Sequence, residues 1–185
     1  SEALTIIIKG NDPSKAAKQI SLTDLGSIKV SKEETKQMAA TIPRSSILGF
    51  IIGVLPGAGA TIASFLAYGM ERNFVKSDEK EKFGKGSVQG LSAPETANNA
   101  ACSGSFVPLL TLGIPGSGTT AVMLGALLGF GIQPGPRLYE TNPDIFWSVI
   151  MSMYIGMVVL LILNLPLIPY IARILAVPRA FLIPL

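Results

Sequence analysis

Three long stretches of the sequence contain no Asp, Glu, Lys or Arg, and they constrain the fold more than any other feature. They cover residues 45–70, 96–136 and 145–172, with lengths of 26, 41 and 28 residues. About 20 apolar residues are enough to cross the hydrocarbon core of a bilayer as a helix. Only 15% of the residues are charged, against about a quarter in soluble domains. The sequence therefore predicts an all-α integral membrane protein.

A seven-residue motif occurs twice, once in each of the first two charge-free stretches. Residues 55–61 read LPGAGAT and residues 114–120 read IPGSGTT. Proline removes a backbone N–H and interrupts a helix, while glycine adopts backbone conformations closed to other residues. Hydrocarbon cannot satisfy the polar backbone groups that such an interruption exposes. We therefore predict two discontinuous helices whose Pro-Gly turns lie at the bilayer midplane and bind a cargo.

The predicted substrate-binding residues are those of the two turns. In discontinuous membrane helices, the N-terminal ends attract anionic groups and the unwound carbonyls coordinate Na⁺. The threonine hydroxyls can cap the following helix or bind a carboxylate oxygen. The set comprises Pro56, Gly57, Ala58, Gly59, Ala60, Thr61, Pro115, Gly116, Ser117, Gly118, Thr119 and Thr120. Asn98, Asn99 and Glu95, at the start of the second stretch, are further candidates for binding the cation or the substrate.

Two other interpretations of the turns are possible. Glycine and proline could serve only to kink helices for packing, with Asn98 and Asn99 satisfying exposed backbone, but the repetition of the motif favours binding. Residues 113–120 also have the GxxxxG spacing of a phosphate-binding loop, and residues 116–121 match the dinucleotide pattern GxGxx(G/A). Thr119 stands where the phosphate loop requires lysine, and neither motif follows a strand. Nucleotide binding is therefore disfavoured.

The remaining composition excludes several classes of site. The chain has no histidine and a single cysteine, Cys102, so it supplies no His-based triad, no His metal ligands and no internal disulfide. Residues 1–44 hold seven of the fifteen basic residues and residues 71–95 hold five. Neither segment has the aromatic residues interleaved with basic ones that are typical of a nucleic-acid surface, and both also carry acidic residues. We expect no catalytic residues and no nucleic-acid partner.

The chain divides into six predicted segments, separated by changes in charge. Basic loops flank residues 45–70, so the positive-inside rule favours a re-entrant hairpin with arms of about ten residues over one kinked crossing. Gly125 and Gly129 form a GxxxG face for helix packing. The segments are a cytoplasmic loop and juxtamembrane helix (1–44), a broken-helix hairpin (45–70), a charged cytoplasmic loop (71–95), a second broken-helix element (96–136), a transmembrane helix (145–172) and a truncated further element (173–185).

Within these segments the local signals are more specific. A short strand is predicted at residues 4–8, and short helices at 14–20 and 77–83. A helix should start at Ser31, capped reciprocally with Glu34, and end before Pro43. Because the sequence starts without methionine and ends in apolar residues, we expect a piece of a longer protein.

Five sequence strings carry a resemblance to a known family. They are GVLPGAGAT at 53–61, FGKG at 83–86, APE at 93–95 with NNA at 98–100, LGIPGS at 112–117 and QPGP at 133–136. Together they resemble the large membrane subunit (TctA) of the tripartite tricarboxylate transporters, closely over residues 44–136 and more loosely to 185. The resemblance implies the second half of a two-halved, inverted-repeat transporter in the bacterial inner membrane, with several spans.

The resemblance also implies an activity and partners. It predicts symport of a di- or tricarboxylate such as citrate, delivered by a periplasmic solute-binding protein. The implied partners are a small membrane subunit, the remaining half of the same protein and membrane lipid. A channel or a non-transporting scaffold is the alternative.

The coupling ion is predicted from the residues. Proton coupling needs a titratable group at depth in the membrane, and the candidates Glu71 and Glu95 lie at the edges of the first two apolar stretches. Backbone carbonyls, Ser117 and the Thr and Asn side chains offer oxygen ligands that suit Na⁺. We therefore predict Na⁺ as the coupling ion and no other cofactor. Coupling to H⁺ is the alternative, because the remaining half could carry an embedded acid.

Overall fold

The computed structural model describes residues 30–172, and all regular structure within that range is helical. The predicted strand at 4–8, the helix at 14–20 and the element at 173–185 lie outside these residues. Residues 30–149 belong to one compact unit, and the rest of the last helix belongs to a second. The helices are α1 (Lys32–Val54), α2 (Gly59–Phe74), α3 (Ser77–Lys80), α4 (Val88–Gly104), α5 (Phe106–Leu112), α6 (Gly118–Gly129), α7 (Leu138–Thr141) and α8 (Pro143–Ala172).

Helices α1 and α2 form an antiparallel hairpin around the first Pro-Gly turn. The predicted helix start at Ser31 is confirmed: its hydroxyl accepts from the Glu34 N–H at 3.2 Å, and the Glu34 carboxylate accepts from the Ser31 N–H at 2.7 Å. Arg44 and Glu71, the two charges that border the stretch 45–70, form an ion pair of 2.7 Å at the open end of the hairpin. The two ends of the stretch 45–70 therefore lie side by side.

The prediction that Pro43 ends a short juxtamembrane helix is wrong. Helix α1 continues through Pro43 to Val54, so the hairpin arms have 23 and 16 residues in place of about ten each. A proline inside a helix removes one hydrogen bond and costs about 3 kcal/mol. The side chains on either side of Pro43, Thr41 and Ser45, are fully buried. We attribute the continuity of α1 to this packing.

The loop predicted over 71–95 is also shorter than expected. Helix α2 extends to Phe74, and α4 already begins at Val88, with Pro94 in its interior. The predicted helix at 77–83 is limited to the four residues of α3. The start of α4 at Val88 is capped by Ser87, whose hydroxyl accepts from the Gly90 N–H at 3.0 Å.

Helices α1 and α4 run parallel with their backbones in contact. A Cβ atom added to Gly49 would lie 2.7 Å from the Ala97 Cα, and one added to Gly53 would lie 2.6 Å from the Ala101 Cα. Such small residues, spaced four apart, allow helices to approach closely. The GxxxG packing face predicted on α6 is not used within the described residues, since nothing lies within 4 Å of a Cβ added to Gly125 or Gly129.

Helix α2 completes a three-helix core made mostly of small side chains. Ala63 and Ala67 of α2 are fully buried, in one cluster with Ile52 of α1 and the alanines of α4. The Ser64 hydroxyl donates to the Pro94 carbonyl oxygen at 3.1 Å. This core holds the end of α1 and the start of α2, which flank the first turn, against α4.

Helix α8 is the longest of the described helices, with 30 residues. Its residues 143–168 and the whole of α1 are long and apolar enough to cross a membrane. None of the apolar 18-residue window of α8 is buried inside the protein, as expected for a surface in contact with lipid. By length and composition, the described residues thus contain two candidate spans.

Candidate functional site

Both Pro-Gly turns line one cavity of about 680 Å³. This volume lies in the range of about 300–1,000 Å³ typical of small-molecule sites. The first turn contributes Gly57, Gly59, Ala60 and Thr61, and the second contributes every residue from Pro115 to Thr120. The rest of the lining is Cys102, Ser105, Phe106 and Ala121. Ten of the twelve predicted turn residues therefore share one cavity, and Pro56 and Ala58 are not among its lining residues.

The second turn packs against the end of α1 and the junction between α4 and α5. A Cβ atom on Gly116 would meet the Ser105 Cβ at 3.1 Å and the Gly53 carbonyl oxygen at 3.5 Å. The turn begins at Gly113, whose φ of 69° is left-handed and favours glycine. Gly113 also faces the Pro134 carbonyl oxygen, 2.9 Å from where a Cβ would lie. These contacts fix the second turn beside the first.

The first turn leaves the N-terminus of α2 uncapped. The Ala58 N–H donates to the Leu55 carbonyl at 3.2 Å, which closes the turn, and Gly57 and Gly59 take φ values of 81° and 70°. Ala58 stands at the N-cap position, where its methyl side chain cannot accept a hydrogen bond. The first N–H groups of a helix have no partner within the helix. Those of Gly59, Ala60 and Thr61 have no backbone or side-chain acceptor in the described part of the chain.

The second turn, in contrast, caps its own helix. The Ser117 hydroxyl accepts from the Thr120 N–H at 3.3 Å, and the Thr120 hydroxyl accepts from the Ser117 N–H at 2.8 Å. This reciprocal arrangement is a capping box and satisfies two donors at once. Thr120 is only 2% exposed. At the α6 N-terminus, the N–H groups of Gly118 and Thr119 are the ones that remain open to the cavity.

The cavity lining contains no charged side chain. Two helix N-termini, of α2 and α6, border it, and each carries a partial positive charge that attracts anions. The hydroxyls of Thr61 and Thr119 line the cavity without a hydrogen-bond partner among residues 30–172. The C-terminal ends of α1 and α4 supply backbone carbonyls nearby, including that of Gly53, close to Gly116. The site can therefore accommodate a carboxylate together with a hard cation.

The structure places the three further candidates outside the cavity lining. Asn98 lies between helices, where its Nδ2 donates to the Ser64 hydroxyl at 3.3 Å and its Oδ1 accepts from the Cys102 thiol at 3.9 Å. Asn99 and Glu95 are exposed on α4. Asn98 thus connects α4 to α2, one helical turn before the cavity-lining Cys102.

Sequence reasoning missed the third wall of the cavity, formed by Cys102, Ser105 and Phe106. The Ser105 hydroxyl donates to the Cys102 carbonyl at 2.7 Å, at the break between α4 and α5. No repeated motif marks this wall, because its residues come from a single copy. A Gly-Ser pair within an apolar helix, here Gly104 and Ser105, is the signal that could have indicated the break.

Within residues 30–172, no group of three or more Cys, Asp or Glu side chains is positioned to hold a metal ion. Any cation bound in the cavity would take backbone and hydroxyl oxygens as ligands.

Comparison with known proteins gives a family match over the whole chain. The model of the tripartite tricarboxylate transporter TctA family matches residues 1–185. A protein of Agrobacterium vitis described as "Uncharacterized 52.8 kDa protein in TAR-I ttuC' 3'region" is 46% identical over 155 residues, which are 84% of this chain and 30% of that protein. No solved structure matches the chain significantly.

A second protein of the same organism is similar to the same degree. It is described as "Uncharacterized protein in TAR-II ttuC' 3'region" and is 46% identical over 136 residues, which are 74% of this chain and 55% of that protein. The chain therefore spans about a third to a half of the length of these relatives.

Proposed function

The chain belongs to the tripartite tricarboxylate transporter TctA family, and we propose that it forms part of a membrane subunit that transports a di- or tricarboxylate, such as citrate, by cation symport. The substrate binds in the cavity between the two Pro-Gly turns. The observation that carries this proposal is the shared cavity: two copies of one motif, 59 residues apart in the sequence, line the same space.

Binding of a carboxylate follows from the donors that face the cavity. The open N–H groups at the starts of α2 and α6 and the hydroxyls of Thr61 and Thr119 are hydrogen-bond donors. A helix N-terminus stabilises a nearby anion by about 0.3–1 kcal/mol at exposed sites and by up to about 2 kcal/mol where partly buried. Two helix N-termini can each bind one carboxylate of the same substrate. The site would therefore select di- and tricarboxylates over monocarboxylates without a buried arginine.

We propose Na⁺ as the coupled cation. The cavity lining has hydroxyls and backbone carbonyls but no carboxylate, and such neutral oxygens suit a hard cation that does not need to be neutralised by protein charge. Glu71, the acid that borders the stretch 45–70, is fully buried in an ion pair with Arg44. Coupling to H⁺ through Glu71 would require breaking that pair, and Glu95 is exposed outside the cavity lining, which favours Na⁺.

The hairpin of α1 and α2 is proposed to enter the bilayer from the cytoplasmic face and return to it. About ten residues separate Arg44 from the first turn, which is about 15 Å of helix and half of the hydrocarbon thickness of about 30 Å. With the Arg44–Glu71 pair at the surface, the turn therefore reaches the midplane. Helix α8 then crosses the inner membrane completely, in contact with lipid.

The whole transporter would contain more than this chain. We propose that the remaining part of the same protein completes the cavity, and that a small membrane subunit and a periplasmic solute-binding protein work with it. A channel or a scaffold is the alternative, and concentrative uptake by the reconstituted complex separates these functions. A channel cannot accumulate citrate against its gradient.

Cys102 allows a direct test of substrate binding, because it is the single cysteine of this chain and lines the cavity. In the full-length protein, with Cys102 as its sole cysteine, a hydrophilic maleimide is expected to react about threefold or more slowly when citrate and Na⁺ are present, since bound ligand excludes it from a filled site. The matched control places the thiol next door, with Ser103→Cys in a Cys102→Ala background, because Ser103 does not line the cavity. Equal labelling of Cys102 with and without each of a panel of di- and tricarboxylates, in a protein active in uptake, would refute the assignment of the site.

A further inference from the structure

The open end of the first hairpin contains a fully buried carboxylate. Glu71 has 0% of its side chain exposed. Its Oε1 accepts from the Arg44 Nη2 at 2.7 Å and from the Thr41 hydroxyl at 2.7 Å, and its Oε2 accepts from the Arg44 Nε at 3.3 Å. Each carboxylate oxygen is therefore paired, and the arginine engages both of them in a fork.

Arg44 is held on its other side by an aromatic ring. Its guanidinium carbon lies 5.1 Å from the centre of the Phe74 ring, within the distance of a cation–π interaction. Its side chain is 37% exposed, so the arginine reaches water while the glutamate does not. Without its partner, the arginine could therefore be solvated by water, whereas the buried glutamate would keep an unpaired charge.

The position of this cluster connects it to the cavity. Arg44 and Glu71 are the last charges before and the first after the stretch 45–70, and the first turn lies midway between them. A slide of α2 along α1 by one residue would separate the paired atoms and move Gly59 along the cavity wall. The register of the two helices at the cluster thus sets the position of the first turn.

We propose that Arg44, Glu71 and Thr41 form a charge-neutral clamp whose role is to position the first turn for substrate binding. The proposal rests on the transport function of the cavity, and it makes Arg44 and Glu71 positioning residues that do not touch the substrate. A buried ion pair contributes little net stability, but removing one partner leaves the other charge buried and is strongly destabilising. The clamp therefore fixes the register of α1 and α2. Its removal should destabilise the protein more when Arg44 is lost than when the charge of Glu71 is lost.

Among the described residues, Arg44 is the cation that forms an ion pair with Glu71. On α2 the neighbouring Arg72 is exposed. The ionisable side chains of α4 are Glu95 and Cys102, and neither can supply a positive charge. Loss of Arg44 would thus leave the Glu71 carboxylate without a cation.

The test is a double-mutant cycle, with melting temperatures measured on the full-length protein in detergent and uptake measured on the reconstituted complex in proteoliposomes. Arg44→Ala is expected to lower the melting temperature by about 5–10 °C and to raise the KM for citrate uptake about tenfold, because the helix register loosens. Glu71→Gln is expected to be mild, since Arg44 can turn to water. The double variant Arg44→Ala/Glu71→Gln should recover to near the level of Glu71→Gln, and Arg44→Lys should keep part of the function.

A matched control is the exposed ion pair between Lys82 and Glu79, which has the same 2.7 Å separation. Lys82→Ala should leave the melting temperature and KM unchanged, because exposed pairs contribute little. If the double variant is as impaired as Arg44→Ala, or if both fail to fold, the arginine acts only through packing and the clamp is refuted. The melting temperatures need no transport, so a wild-type protein without uptake activity would refute the proposed function and leave the clamp tested by the cycle.

Discussion

The two Pro-Gly turns have nearly the same sequence and different hydrogen bonding. The turn before α6 carries Ser117 at the N-cap position, where it forms a capping box with Thr120, and Gly116 is pressed against Ser105. The turn before α2 carries Ala58 at that position and has no side-chain cap. A Cβ atom added to Gly57 or Gly59 would meet nothing within 4 Å. The second turn is capped by its own side chains, whereas the first turn leaves its N–H donors without a cap.

This difference indicates a division of labour between the turns. A capped and packed turn provides a fixed wall, since the N–H groups of Ser117 and Thr120 already have partners and only those of Gly118 and Thr119 remain open. An uncapped turn has N–H groups that gain a partner only when a ligand arrives, so it contributes more to the free energy of binding. We therefore expect the first turn to determine affinity and the second to determine the shape of the site.

Disrupting the contact between α1 and α4 at Gly53, which lies beside both turns, should have the largest effect on stability. Gly53→Ala places a methyl group against the backbone of Ala101, 2.6 Å from its Cα, at the position where the α1 carbonyl also borders Gly116. Because backbone cannot yield cheaply, we expect a loss of about 3 kcal/mol, measured by thermal unfolding of the full-length protein. Gly129→Ala, which meets nothing within 4 Å, is the control. It should be neutral or stabilising by up to about 1 kcal/mol, and equal effects at the two glycines would contradict the close packing of α1 on α4.

Straining the open turn should have the next largest effect. Gly59→Val puts a β-branched residue at a φ of 70° and a side chain into the cavity. Strain of this kind costs about 1–3 kcal/mol, and we expect uptake to fall about tenfold or more. Gly69→Val, also on α2 but with an ordinary φ and open space around it, should retain most of the uptake. Normal uptake by Gly59→Val would mean that the first turn does not approach the substrate.

Giving the open turn a cap should make it resemble the closed one. Ala58→Ser supplies an oxygen at the N-cap of α2. Because the backbone of residue 58 is helical (φ −68°, ψ −43°) and must become extended to form a cap, the expected stabilisation is below the value of about 1 kcal/mol typical of a cap. The same oxygen competes with the substrate for the N–H groups, so the KM should rise about two- to fivefold. Thermal unfolding and uptake kinetics on the same samples test whether stability and KM rise together. An unchanged KM in a stabilised variant would show that these donors are not used for binding.

Removing the existing cap should have the smallest effect on transport. Ser117→Ala takes the acceptor from the Thr120 N–H and should lower stability by about 1 kcal/mol, a shift of about 2–4 °C in melting temperature. The KM should change less than for Ala58→Ser, because the hydroxyl of Ser117 already has a partner in the protein. Ser117→Thr, which keeps the hydroxyl, is the control. A larger rise in KM for Ser117→Ala than for Ala58→Ser would reverse the proposed roles of the turns.

The repeated motif was sufficient to predict ten of the fourteen residues that line the cavity, because Pro-Gly interruptions are local and their consequences can be read from sequence. The same local reasoning failed at Pro43, which lies inside a continuous helix. There the cost of proline is offset by burial of neighbouring small side chains against other helices, and that burial depends on contacts between residues far apart in the chain.

The packing glycines show the same limit. The spacing GxxxG occurs at Gly49 and Gly53 as well as at Gly125 and Gly129, and the sequence does not show which pair has a helix beside it. The difference between a capped and an uncapped turn, however, lies in single residues, Ser117 and Ala58. It was present in the sequence, but its meaning required knowing that both positions are N-caps on the same cavity.

The backbone contact between α1 and α4 also limits how the molecule can change shape. Along this seam no side chain stands between Gly49 and Ala97 or between Gly53 and Ala101, so there are no rotamers that could repack during sliding. A partial shift would drive a methyl group into a peptide plane. We therefore expect the two helices to move together as one rigid unit. In the proposed transport cycle, opening would take place at other points, such as the break at Ser105, which borders the cavity.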